Sequence, residues 1–143
     1  MKNSQLRPAL LLIVCWMATL ACVRADSPLE LSMKQMKKAY KELSTDLEKP
    51  LDSEKGNYVT LAETLKSSAQ KARDLVPEAA AELPADKKAA MVKSYRESMD
   101  DLITGIDSLI QNLQAAKWDE ARKDISALKS DMKDGHREFR KED

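Results

Sequence analysis

An all-α fold is what this sequence predicts: an up-down-up-down antiparallel four-helix bundle preceded by a signal peptide. Three observations predict it. Apolar residues recur at alternating steps of three and four through four separate segments between Pro28 and Lys141. Glycine is scarce, at 3 of 143 residues, and no stretch of useful length alternates as a strand would. Charged residues make up 34% of the chain and aromatics only 4%, which suits helices with broad solvated faces better than a β-sandwich. No internal repeat of roughly 20–50 residues competes with this reading.

The first 25 residues are of another kind. Lys2 and Arg7 form a positive start, Ala9 to Val23 is almost wholly apolar, and the first acidic residue is Asp26. This is the layout of a secretory signal. The apolar run is shorter than the roughly 20 residues a membrane span needs. Val23 and Ala25 put small residues at the −3 and −1 positions of a cleavage after Ala25, so residues 1–25 read as the signal peptide and 26–143 as the bundle. The alternative is a lipoprotein box, Thr19-Leu20-Ala21-Cys22, with Cys22 acylated. Both cysteines, Cys15 and Cys22, lie in this leader, so the exported part has no disulfide and no thiolate ligand. Removing Lys2, Arg7 and Arg24 leaves 21 basic against 24 acidic residues, a net charge of about −3. That gives no electrostatic case for a nucleic acid partner.

The first helix is expected from Pro28 to about Glu48. Leu29, Met33, Met36, Tyr40, Leu43 and Leu47 step by four and three along it, Ser27 is its cap, and Lys49-Pro50 stops it. Leu51 to Asn57 is polar, contains Gly56 and reads as a loop. The second helix follows from about Tyr58 to Val76, with Tyr58, Leu61, Leu65, Ala69, Ala72 and Val76 on one face. Pro77 ends it, and residues 77–85 form a longer connection. A third helix runs from about Asp86 to Ala116 on a seam of Met91, Tyr95, Met99, Leu102, Ile106, Leu109 and Leu113. A tight link at Ala115 to Trp118 makes its successor an antiparallel neighbour. That fourth helix reaches about Lys141, with Trp118, Ala121, Ile125, Leu128, Met132 and Phe139 turned inward.

One constellation carries chemistry. His136 is the single histidine and sits near the end of the fourth helix. Met33 sits in the second turn of the first. In an up-down-up-down bundle these two positions lie at the same end, about level, on neighbouring helices. An imidazole opposite a thioether is an axial pair for haem iron, giving six-coordinate iron suited to electron transfer. Phe139, Leu128, Leu29, Met36, Met99 and Met132 would wall such a group, and Lys133, Arg137 and Arg140 would approach its propionates. The bland reading stands beside this one: a methionine in a seam is ordinarily packing, and a histidine near a helix end suits the helix dipole.

The stretch from Trp118 to Arg140 resembles the C-terminal helix of the cytochrome b562 family. The likeness rests on Glu120-Ala121 near its start, Leu128-Lys129 in its middle and His136, Phe139 and Arg140 at its end. Tyr95-Arg96, Asp100, Leu102 and Ile106-Asp107 fall where the family's third helix carries similar residues. Leu29-Glu30-Leu31-Ser32-Met33 is similar to its first helix, whose early methionine is an axial ligand. The second helix matches only in pattern. The resemblance implies a periplasmic electron-transfer protein that binds one haem b per chain, with Met33 and His136 on the iron, Arg140 near the haem edge, and a redox partner protein. Two positions depart from the family. Met132 stands where an arginine is frequent, and Gly135 where an aromatic is frequent. Some relatives attach haem through two cysteines that here are Met132 and Gly135, so the haem implied is non-covalent.

Two other functions are open to the sequence. The bundle could be a haem-free interaction protein of the cell envelope, its charged faces merely solvated. Met33, Met36, Met132 and His136 are also soft or borderline donors that could hold Cu(I). An enzyme is not expected: there is no nucleophile with a base, no glycine-rich phosphate loop and no second histidine.

Overall fold

The computed structural model describes residues 26–140. The signal peptide and the acylation of Cys22 therefore lie outside the described residues. Four helices and two short 3-10 turns follow one another, with no strand among the described residues.

Helix α1 (Pro28–Asp46) begins on a capping box. The Ser27 hydroxyl accepts from the Glu30 N–H at 3.1 Å, and the Ser27 N–H donates to the Glu30 carboxylate at 2.6 Å. The expected loop at 51–57 is not one. A 3-10 turn at Asp52–Glu54 runs directly into α2 (Lys55–Arg73), so Gly56 is helical. Acidic Asp52 and Glu54 suit the positive start of a helix, and the Leu51 N–H donates to the Tyr58 hydroxyl at 3.1 Å, which pins the entry.

The seam of α2 also differs from its expected course. Its buried line is Tyr58, Ala62, Leu65, Ala69 and Ala72, while Leu61 is only half-buried. Small side chains let α2 approach α1 and α3 together, and that outweighs the burial of the larger leucine. The helix stops at Arg73, before Val76, which is 48% exposed. Pro77 is buried, and a 3-10 turn at Glu78–Ala80 seats Ala80 in the interior.

Helix α3 (Ala85–Gln114) buries Tyr95, Met99, Leu102, Ile106, Leu109 and Leu113, the expected seam except that Met91 is half-buried. The link to α4 (Trp118–Phe139) turns through Ala116, whose φ of 54° is a left-handed conformation usual for glycine and costs about 1 kcal/mol. Ala121, Ile125, Leu128 and Phe139 of α4 are buried, with Trp118 and Met132 packed at the core's edge. Successive helices pack along their lengths and make one hydrophobic core. The first and last helices also meet, which closes the bundle, but in far fewer places than any consecutive pair.

Candidate functional site

The contact between α1 and α4 is uneven along its length. At the α1 C-terminus it is latched. Arg122 donates to the Leu47 carbonyl at 3.2 Å, the Tyr40 hydroxyl donates to the Ile125 carbonyl at 3.4 Å, and the Trp118 indole N–H donates to Asp52 at 3.1 Å. Toward the other end no hydrogen bond or ion pair joins α1 to α4 among the described residues. The end of α4 is fastened to α3 instead. There Phe139 meets the Tyr95 ring edge-to-face with centroids 5.3 Å apart, and the Ser94 hydroxyl donates to Glu138 at 3.3 Å. Tyr95 is itself anchored, its hydroxyl donating to the Ala72 carbonyl at 2.8 Å, and burial pushes the phenol up to about 12.

These bonds fix the register. Seven residues back from Tyr40 is Met33, and seven on from Ile125 is Met132. Fourteen back from Leu47 is Met33 again, and fourteen on from Arg122 is His136. Met33 is therefore level with the turn from Met132 to His136. A similar count from the Ser94–Glu138 and Asn112–Asp124 bonds sets Met99 of α3 level with the turn from Lys133 to Arg137.

The same bonds fix which way each residue faces. At about 100° per residue, His136 lies angularly between Arg122 and Ile125, the two α4 residues bonded to α1. Asp124 and Glu138, which bond to α3, lie on the opposite flank. On α1, Met33 lies about 20° from Tyr40, which bonds to α4, and far from Gln35, which bonds to Ser68 of α2. Met33 and His136 thus occupy facing flanks of neighbouring helices.

Their burial differs. Met33 is half-buried at the core's edge. His136 is exposed, and among the described residues no hydrogen bond or ion pair engages its imidazole. Met36, Met99 and Phe139 are buried, Met132 is half-buried, and Leu29 packs at the edge. Leu128 is also buried but sits further from this end. Of the basic residues, Arg137 pairs with Asp134 at 2.9 Å, while Lys133 and Arg140 are exposed beside the histidine turn. Asp100 is exposed and bound by Arg73, whose hydrogen bond holds its carboxyl below the usual range.

The residues at this level fit a flat apolar guest with one metal atom. One soft and one borderline donor face each other across the loosest helix contact. Apolar side chains lie beneath them. Gly135, between Met132 and Phe139 and turned toward the α3 flank, has open space beside it: a Cβ built there would meet nothing within 4 Å. No group of three or more His, Cys, Asp or Glu suited to a hard cation occurs among the described residues. Sequence reasoning singled out Met33 and His136 but missed the latch at Arg122 and the Tyr95–Phe139 clasp. The only sign of either was a tyrosine at a core position, whose hydroxyl needs a partner.

No helix of the described chain is long and apolar enough to cross a membrane. No curated protein and no solved structure matches the chain. The family model described as Cytochrome b562 matches residues 28–140, all four helices, and the chain therefore belongs to the cytochrome b562 family of haem-binding electron-transfer bundles.

Proposed function

We propose that the exported chain is a periplasmic electron carrier that holds one non-covalent haem b between α1 and α4, with Met33 and His136 as axial ligands. Membership of a periplasmic family of electron-carrier haem proteins supports the class. The single observation that carries the ligand assignment is the register: Met33 and His136 are level and on facing flanks where α1 and α4 are least joined. Haem iron, when bound, supplies a one-electron couple whose potential a thioether ligand raises.

The chain's own residues orient and shield. Met36, Met99 and Phe139 exclude water from beneath the ligand level. Tyr95 holds Phe139 from the α3 side. Lys133 and Arg140 offer positive charge beside the exposed end, where carboxylates of a haem or an acidic redox partner would be held. Were Met33 and His136 both to hold a haem iron, no coordination site would be left for substrate, which would fit a carrier rather than an enzyme.

Haem titration followed by absorption spectroscopy tests the proposal. The native sequence is expected to give a sharp Soret band and split visible bands on reduction. His136→Ala is expected to lose at least tenfold in haem affinity, and Met33→Ala to give high-spin iron. Free-haem spectra at stoichiometric protein, or spectra unchanged in both variants, would overturn the assignment and favour the haem-free envelope protein.

A further inference from the structure

All five methionines of the described chain, Met33, Met36, Met91, Met99 and Met132, lie in the half of the bundle that holds the one histidine. The opposite half is packed with leucine, isoleucine and alanine: Leu43, Leu47, Ile106, Leu109, Leu113 and Ala121. Cores use methionine to fill gaps, but gap-filling does not require every thioether to gather at one end. Within that half the spacing is chelating. Met132 and His136 are four residues apart on one flank of α4, and Met33 and Met36 are three apart on α1, so each pair projects from one helix face. The register counted above sets Met33 level with the Met132–His136 turn.

From this we infer a second binding activity: the haem-free protein takes up one soft monovalent cation, Cu+ in the cell, through Met33, Met132 and His136. Thioethers and neutral imidazole are soft to borderline and carry no charge, so they suit a monovalent soft ion and not zinc, calcium or magnesium. Thioethers also need no deprotonation to bind a soft ion. The absence of any three-residue cluster of His, Cys, Asp or Glu among the described residues fits the same selectivity. Buried Met99 lies level with the site, behind the ligands, and keeps the floor apolar. The three ligands are half-buried or exposed, so an ion reaches them without unfolding of the core. Haem and Cu+ would draw on the same imidazole and thioether, so each excludes the other.

The inference does not rest on haem binding, and its test uses haem-free protein. Ag+ is the probe, added as nitrate in chloride-free buffer and read by calorimetry and by methionine-methyl NMR. The expected result is one Ag+ per chain, with the methyl signals of Met33 and Met132 and the ring signals of His136 shifted and that of Met91 unmoved. Met132→Leu, which conserves volume, and His136→Gln, on an exposed position, are each expected to weaken binding at least tenfold with helical circular dichroism unchanged. Cu+ in competition with a coloured chelator should give the same ranking. No binding at micromolar Ag+, equal shifts at all five methionines, or native affinity in both variants would overturn the inference. Haem spectra recorded separately show whether the haem proposal stands or falls independently.

Discussion

The two ends of the α1–α4 contact share a hydrophobic pattern and differ in how they are held. At the Leu47 end the helices are tied through Arg122 and Tyr40, Trp118 adds a bond to Asp52 of the following 3-10 turn, and Leu47 itself is 1% exposed. At the Met33 end no such tie exists among the described residues, and α4 leans on Tyr95 of α3. One end is tied by polar bonds, and the other is held by apolar packing with methionine at its edge. A single pair of helices is therefore joined firmly at one end and loosely at the other. Which end does which is decided by a few polar bonds rather than by apolar content.

Truncation at each end of α1 is the strongest way to break that comparison. Leu47→Ala is expected to cost about 2–5 kcal/mol, because a fully buried leucine is lost beneath the latch. Leu29→Ala, at the edge of the open end, is expected to cost about 1 kcal/mol. Urea unfolding of haem-free protein measures both. Equal losses would mean that the two ends are packed alike.

Much of this was legible in the sequence, and the remainder was hidden for physical reasons. Steps of three and four located α1, α3 and α4 to within two residues, since burial follows that period directly. They failed on α2, where Ala62 took the place expected of Leu61: a helix sandwiched by two others is positioned by small residues, which the larger side chain's hydrophobicity masks. The loop expected at 51–57 failed because Gly56 reads as a breaker when considered alone, while the helix start there is supported by a local side-chain bond, Leu51 N–H to the Tyr58 hydroxyl, that a residue-by-residue reading does not show. Met33 and His136 stood out as rare types at matching depths. The lack of a polar tie between α1 and α4 at that end, among the described residues, was invisible, because Leu29, Met33, Tyr40 and Leu47 continue one unbroken apolar stripe along α1 past both the loose end and the tied one.

The clasp that holds the open end from the α3 side gives a smaller effect with a pH signature. Tyr95→Phe removes the bond to the Ala72 carbonyl and is expected to cost about 1 kcal/mol at neutral pH. In the unfolded chain the phenol ionises near 10.0, whereas in the fold it keeps its proton to about 12. Between those values the unfolded state binds fewer protons, so stability falls as pH rises. The contribution is fully present below pH 10 and is lost toward pH 12. Denaturation midpoints compared across that window should show the native protein losing stability faster than the Phe variant. Parallel curves would mean that Tyr95 is not fastened as described.

Two glycines sharpen the comparison by the smallest increment. Gly135 lies in α4 at the open end with helical backbone, and an added Cβ meets nothing within 4 Å. Gly105 lies in α3, where the same atom would come within 3.0 Å of the end of the Leu128 side chain, which is 1% exposed. Each Gly→Ala change carries the same helix-propensity gain of roughly 0.5–1 kcal/mol. At Gly135 that gain should appear in full as a raised midpoint. At Gly105 the crowding of Leu128 should cancel it or reverse its sign. Equal gains would show that the space beside Gly135 is no larger than that beside Gly105. A gain confined to Gly135, with haem and Ag+ affinity measured on the same variant, separates the room that glycine leaves from the donors that surround it.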